Sequence, residues 1–536
     1  MSTDATTFPL RDSGLEQPLK GGRKGTPSPS GESHSRQRER EGEGSRERTR
    51  KETAIGAAVL VWIGVCVLLI VLAAADRPSF LSSPSHYGFF PRWLAGPLGG
   101  LWPWFTRNPS TVKALLTGAL VSMYVAYLVG LRYVPLLRAR AAIVTIVAVH
   151  AILLLSPPLS LTDVFNYINY GRMGMLHGLN PYTTIPALGP HSDPSYSLSN
   201  WHQLITPYGP LFTLITYAVV PLGLAGSLWT FKAILMVLSL GTLLLVWRCA
   251  RLLGRDPVAA IVLVGLNPLI LVWGLGGDHN DFFMMFCITL AFYLLLRAGA
   301  PGISPELAGA LDGDRSLGKR WRDCLLALAP LELGAGAALA AAIALKASAA
   351  ILLPVVLVGL VRTPRRLAQL VLGLVLGGLV LGAATVAAFG VHLPDLGAQG
   401  RLVVPMGLPN LLGLVLGQGG ITETLRGVLS ATLVVAVAGC CVYAWRRRDA
   451  VTASGWASMA LLLTLGWVLP WYVLWVLPLA ALSRSRVLRA TALTFGAFLL
   501  LTWMPLATAM DNALGIRPTT TTLGQEHQLY VRGLLD

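Results

Sequence analysis

The chain has 536 residues, 54% of them hydrophobic and 13% charged, with a formal net charge of +16 and a mean hydropathy of +0.62. These values exclude an ordinary soluble globular domain and describe an all-α polytopic membrane protein, because each helical crossing takes roughly 20 apolar residues. Such runs recur from residue 53 to 508, and Arg gathers in the first 51 residues and between the runs, which is a topology signal and not a nucleic-acid footprint.

Residues 1–51 mix Ser, Gly, Glu and Arg, as in RQREREGEGSRERTR, and bury too little apolar surface to fold alone. A disordered basic cytoplasmic tail is expected there. The first apolar run lies too far along the chain, and is too long, for a cleaved signal peptide, so it is expected to remain as an anchor. Residues 52–510 then form the transmembrane domain and 511–536 an extracytoplasmic tail. Cys66, Cys249, Cys287, Cys324, Cys440 and Cys441 all fall in apolar runs or at their basic ends, which suits small apolar residues better than disulfides or a CxxC metal site.

Positive-inside counting starts from a cytoplasmic N-terminus. It predicts crossings at about 53–75, 112–131 and 141–158, and so places the polar stretch 159–207 outside. The segment 207–226 has Pro and Gly at both ends and fits a re-entrant or surface helix as well as a crossing. If it does not cross, Arg248, Arg251 and Arg255 and every later basic cluster fall inside, through crossings near 228–247, 258–276, 282–297, 328–346, 347–361, 367–390, 422–445, 453–470, 472–482 and 490–508. That option is taken here. It gives about 13 transmembrane helices and an extracytoplasmic C-terminus. Pro268, Pro354, Pro470 and Pro478 interrupt several of these, and broken helices in membranes line cavities.

This map brings three separated segments to the outer face. The first is LTDVFNYINYGRMGMLHGLNPY, residues 161–182, where Asp163 precedes Asn166 and Tyr167 on one helical face, with Tyr170 a turn further on. Asp163 reads either as a general base or as a helix-start carboxylate held by the dipole and capped by Thr162, and the two are compatible. The second is GGDHND, residues 276–281, where Asp278, His279 and Asp281 could bind a metal, a phosphate-linked water network or sugar hydroxyls, or simply close a polar turn; a metal site needs more ligands than this one segment offers. The third is Lys346, which either snorkels or pairs with a lipid phosphate. Arg172 and Lys232 are candidates for the same phosphate. His150, inside an apolar run, reads as hydrogen-bonded structure. The aromatic turn WVLPWYVLWVLP, residues 467–478, reads as an interfacial belt or as a wall for a polyprenyl chain.

The opening Asp of the first outer loop, GLNPY, PYGPL with Tyr208, the LNP before DHND, Lys346 and PWYVLW together resemble the polyprenyl-phosphate-sugar-dependent glycosyltransferases of the GT-C fold. The pattern, over about 140–480, is most similar to the actinobacterial α-1,6-mannosyltransferases of lipoglycan assembly. The resemblance implies a GT-C-like bundle whose first extracytoplasmic loop is helical and catalytic, and an inverting transfer of a hexose, with mannose inherited from the likeness. Asp163 matches the carboxylate that deprotonates the acceptor. Lys346 and Arg172 would hold the donor phosphate, and Asn166, Tyr167, Tyr208, Asp278, His279 and Asp281 the sugars. The implied partners are a polyprenyl-phosphate sugar donor, a glycan or glycolipid acceptor and the lipid bilayer of the plasma membrane. No cofactor is indicated, a divalent cation stays compatible with the sequence without being called for, and no Walker or Rossmann glycine motif is present. The rival class is a secondary transporter or lipid flippase using Asp163, Asp278, Asp281 and Lys346; these charges gather at one membrane face, whereas transporters bind near the midplane.

Overall fold

The computed structural model describes residues 29–76, 92–101, 109–159, 163–299 and 329–535. Cys324 and the basic cluster 319–322 lie outside them. Among the described residues the regular structure is helical with no strand, as an all-α polytopic membrane protein requires, since lipid leaves no partner for an open sheet edge. The chain divides into two compact units, Met1–Glu52 and Thr53–Asp536.

Of the expected disordered tail, residues 1–28 lie outside the described residues, whereas 29–51 are helical and belong to α1, Pro29–Asp76.

The second unit continues through α2 (Pro109–Tyr133), α3 (Ala139–Leu154), α4 (Asp163–His177), α5 (Pro210–Val219), α6 (Gly223–Leu252), α7 (Pro257–Gly265) and α8 (Asp281–Ala298). It ends with α9 (Pro330–Leu345), α10 (Leu353–Leu360), α11 (Pro364–Phe389), α12 (Glu423–Arg447), α13 (Ala450–Thr464), α14 (Leu477–Leu482), α15 (Arg486–Trp503) and α16 (Thr522–Leu535). Among the described residues, 7 helices are long and apolar enough to cross a membrane, and shorter apolar helices accompany them. Leu379, Val380, Val434 and Val435 stay exposed on α11 and α12, as side chains facing lipid tails do. The ten residues of α5 rise about 15 Å, half of a hydrocarbon core about 30 Å thick.

The small-residue run of α9 lets it cross α11 at backbone contact. A Cβ on Gly336 would stand 2.1 Å from the Leu370 carbonyl oxygen, so the crossing admits no side chain there. Three helices break, two at a polar residue between apolar ones and one in an apolar run that opens with proline. The Asn267 side chain accepts from the backbone N–H groups of Leu269 and Ile270, and a π-helical turn, Ile270–Leu275, follows. Helix α9 stops at Lys346, whose backbone is extended. The run Pro470–Trp475 is a 3-10 turn. Such breaks set backbone and side chains free to line a cavity.

Candidate active site

Helix α4 is buried along most of its length, from Val164 to Gly171, and its partners explain why an Asn-rich, Tyr-rich helix forms here. Asn166 Oδ1 accepts from the N–H groups of Asn200 (2.9 Å) and Trp201 (3.2 Å), and Nδ2 donates to Asn200 Oδ1 at 2.7 Å. The loop is thereby stapled to the helix. Tyr167 packs edge-on against Tyr208 and Phe212, with centroids 4.7 and 4.8 Å away, and its hydroxyl accepts from the Asn280 N–H at 3.3 Å. Just ahead of α4, the Leu159 N–H donates to the Gly276 carbonyl at 2.7 Å. These contacts fix the start of α4 against GGDHND.

Asp163, in the first turn of α4, keeps 17% of its side chain exposed, and its Oδ2 stands 3.3 Å from His279 Nδ1. The imidazole stacks on Trp471 at 3.4 Å between centroids and 12° between planes, while its Nε2 is buried without a hydrogen-bond partner. Two residues on, Asp281 Oδ1 accepts from Lys346 Nζ at 2.8 Å and from the Trp475 indole N–H; Oδ2 is buried and unpartnered. The Lys346 ammonium also lies 4.8 and 5.0 Å from the Tyr472 and Trp475 ring centres, a cation–π setting.

PYGPL seats on the same break. A Cβ on Gly209 would fall 2.2 Å from the Ala344 carbonyl oxygen, and the Gly209 N–H donates to the Leu345 carbonyl at 3.2 Å, so only glycine lets this segment lie on the Lys346 turn. Tyr208 is thereby held beside Tyr167 and Tyr170. Burial, and after it the Asp163 carboxylate, pushes the Tyr208 hydroxyl well above the usual tyrosine range, which keeps it a proton-bearing donor.

The structure thus gathers Asp163, His279, Asp281, Lys346 and Tyr208, and it gives the other expected site residues different work. Asp278 is fully buried, with both oxygens 3.3 Å from the equally buried Lys232, and its φ of 58° puts it in the left-handed region. The buried pair ties the turn to α6 in place of the sugar and phosphate contacts expected of these two residues. Asn166 and Tyr167 are buried scaffold, for the partners given above. Arg172 donates through Nε to both oxygens of Asp193 at 2.9 and 3.1 Å, so the expected phosphate ligand is a loop clamp. His150 bridges the Ile146 carbonyl and Ser239, the structural role expected of it. Sequence reading missed Trp471 and Trp475 as individual contacts: their run is apolar throughout, and only the 3-10 turn aims both rings at one acidic turn. Among the described residues no three His, Cys, Asp or Glu side chains gather as a metal site.

The Asp193 clamp has a pH signature. Burial raises its carboxyl pKa, but hydrogen bonds from Arg172, His177 and Ser195 outweigh that and hold it well below the usual carboxylate range. A depressed folded-state value means the clamp contributes fully above the unfolded pKa of about 3.9 and is lost as pH falls through the lower folded value. Limited proteolysis of the 178–207 loop is therefore expected to stay slow down to that acid range in the native chain, and to be fast already at neutral pH in Asp193→Asn.

A family model described as Alpha-(1->6)-mannopyranosyltransferase, N-terminal domain, matches residues 61–362, over half of the chain and every one of Asp163, His279, Asp281 and Lys346. The chain belongs to the alpha-(1->6)-mannopyranosyltransferase family. A second model, MptB C-terminal domain, matches residues 403–523, which include Trp471 and Trp475. Alpha-(1->6)-mannopyranosyltransferase A of Mycobacterium tuberculosis is 29% identical over 398 residues, 68% of each chain. Another alpha-(1->6)-mannopyranosyltransferase of that organism is 29% identical over 400 residues, 64% of this chain and 65% of its own. The alpha-(1->6)-mannopyranosyltransferase A of Corynebacterium glutamicum is 24% identical over 370 residues, 61% of this chain and 68% of its own. The chain spans about two thirds of the length of these relatives. No solved structure matches. Membership makes the chain a multi-pass membrane mannosyltransferase and sets aside the transporter reading.

Proposed function

We propose that this alpha-(1->6)-mannopyranosyltransferase relative takes mannose from a polyprenyl-phosphate donor and places it on a glycan or glycolipid acceptor at the outer face of the plasma membrane. Asp163 is the general base. The acceptor oxygen attacks the anomeric carbon, its proton passes to the Asp163 carboxylate, the carbon–oxygen bond to phosphate breaks on the opposite face, and polyprenyl phosphate leaves. An inverting transfer that builds an α-linkage takes a β-linked donor. Lys346, steadied by Asp281 and Trp475, stands where the leaving phosphate gathers charge, and a preformed cation there stabilises the transition state. The buried unpartnered atoms Asp281 Oδ2 and His279 Nε2 offer hydrogen-bond positions for sugar hydroxyls or water.

The observation that carries this reading is the pairing of a partly exposed Asp163 with His279 at 3.3 Å, on the same turn whose Asp281 holds Lys346 at 2.8 Å. With purified chain and an α-1,6-linked mannobioside acceptor, label from polyprenyl-phosphate mannose is expected in the product, and none from a nucleoside-diphosphate mannose offered alone. Equal incorporation from the nucleotide sugar would overturn the lipid-donor assignment.

A further inference from the structure

A cavity of about 220 Å³ lies between the 403–410 loop, Trp467 and helix α16. Its lining places Trp467 opposite a polar face of α16 that carries His527, Gln528 and Arg532. We propose that this cavity is a subsite for the acceptor glycan, binding a mannose ring one or more units back from the hydroxyl that reacts. The proposal deepens the mannosyl-transfer reading and rests on it for the direction of the chain.

Three observations point to a sugar. Trp467 is half-buried, offering an indole face of the kind that takes the C–H side of a pyranose. Opposite it stand hydrogen-bonding groups without partners: His527 Nδ1 is buried and unbonded, and the Gln528 and Arg532 side chains make no hydrogen bond or ion pair among the described residues. Residues 528 and 532 are four apart and so share one face of the helix. Asn410 is already committed, donating to the Pro405 carbonyl at 2.8 Å and accepting from the Ile421 N–H at 3.0 Å, which makes that wall rigid. A polyprenyl chain would leave the amide and imidazole unsatisfied against hydrocarbon, at a cost. A polyol satisfies them.

A chain of contacts joins the cavity to the helix that Asp163 begins. Trp467 meets Trp201 at 6.4 Å between centroids, and Trp201 is the residue whose N–H Asn166 holds on the helix that Asp163 begins. The Gln203 N–H donates to the Leu534 carbonyl at 3.1 Å, tying α16 to the same loop. Four residues beyond Trp467, Trp471 stacks on His279. An acceptor whose terminal hydroxyl reaches Asp163 can therefore run its preceding rings along these contacts.

The test is direct binding of an α-1,6-linked mannotetraose to the full chain in detergent micelles, read by isothermal titration. Gln528→Ala and Arg532→Ala, half-buried and exposed changes that leave the Trp201–Trp467 packing intact, are each expected to weaken binding about tenfold, the scale of one or two lost hydrogen bonds. Unchanged affinity in both α16 variants would overturn the proposal, and so would weakening of polyprenyl-phosphate binding without weakening of the tetrasaccharide. Because the assay needs no turnover, a chain that binds the tetrasaccharide through α16 yet uses another base would sink the Asp163 role and keep the subsite.

Discussion

Asp163→Asn is expected to lower the rate constant for mannosyl transfer by about 10²- to 10⁴-fold, the span that a positioned general base contributes. The replacement keeps size and hydrogen-bonding shape and removes the proton acceptor. A sugar hydroxyl is a poor nucleophile near neutral pH, so an enzyme without its base retains only what proximity and the Lys346 charge supply. The acceptor KM should move little, because the sugar contacts proposed along Trp467 and α16 remain. The thermal midpoint should also hold, since Asp163 is partly exposed and meets His279 rather than filling a core. Full transfer by the variant in membranes, with normal expression, would sink the assignment.

How far the site was legible in the sequence depends on the range of the interactions that build it. Asp163, GGDHND and Lys346 each stand at the end of an apolar run, and hydropathy with arginine counting leads one to expect the three together, as the structure brings them. The helix from Asp163 to His177 follows from local spacing as well. The partners do not. Asn166 looks like a sugar ligand until the loop 34 residues away turns back to use both of its polar atoms. Arg172 looks like a phosphate ligand until Asp193 takes its Nε. Both are choices of tertiary packing, and nothing within one helical turn announces them. Trp471 and Trp475 were hidden for another reason: in an uninterrupted apolar run every aromatic residue reads alike, and a 3-10 turn, which no periodicity in six residues can reveal, decides which two face the acid turn.

The pair below that turn should be the most stability-sensitive polar contact in the chain. Lys232 and Asp278 are both wholly buried, and removing one partner of such a pair leaves an uncompensated charge that typically costs about 3–5 kcal/mol. Lys232→Met is therefore expected to cause a large fall in the thermal midpoint of the detergent-solubilised chain. It should also weaken the site, because Asp278 holds a left-handed φ of 58° immediately before His279, and an unpaired carboxylate will leave that conformation to find water. Asn tolerates the left-handed region as well as Asp does, so Lys232→Met combined with Asp278→Asn removes both charges and keeps the turn. The double variant should recover most of the stability lost by Lys232→Met, giving a strong coupling in the double-mutant cycle. Transfer should return with it, since His279 regains its place beside Asp163. A double variant no more stable than Lys232→Met alone would show that the pair is not what holds the turn.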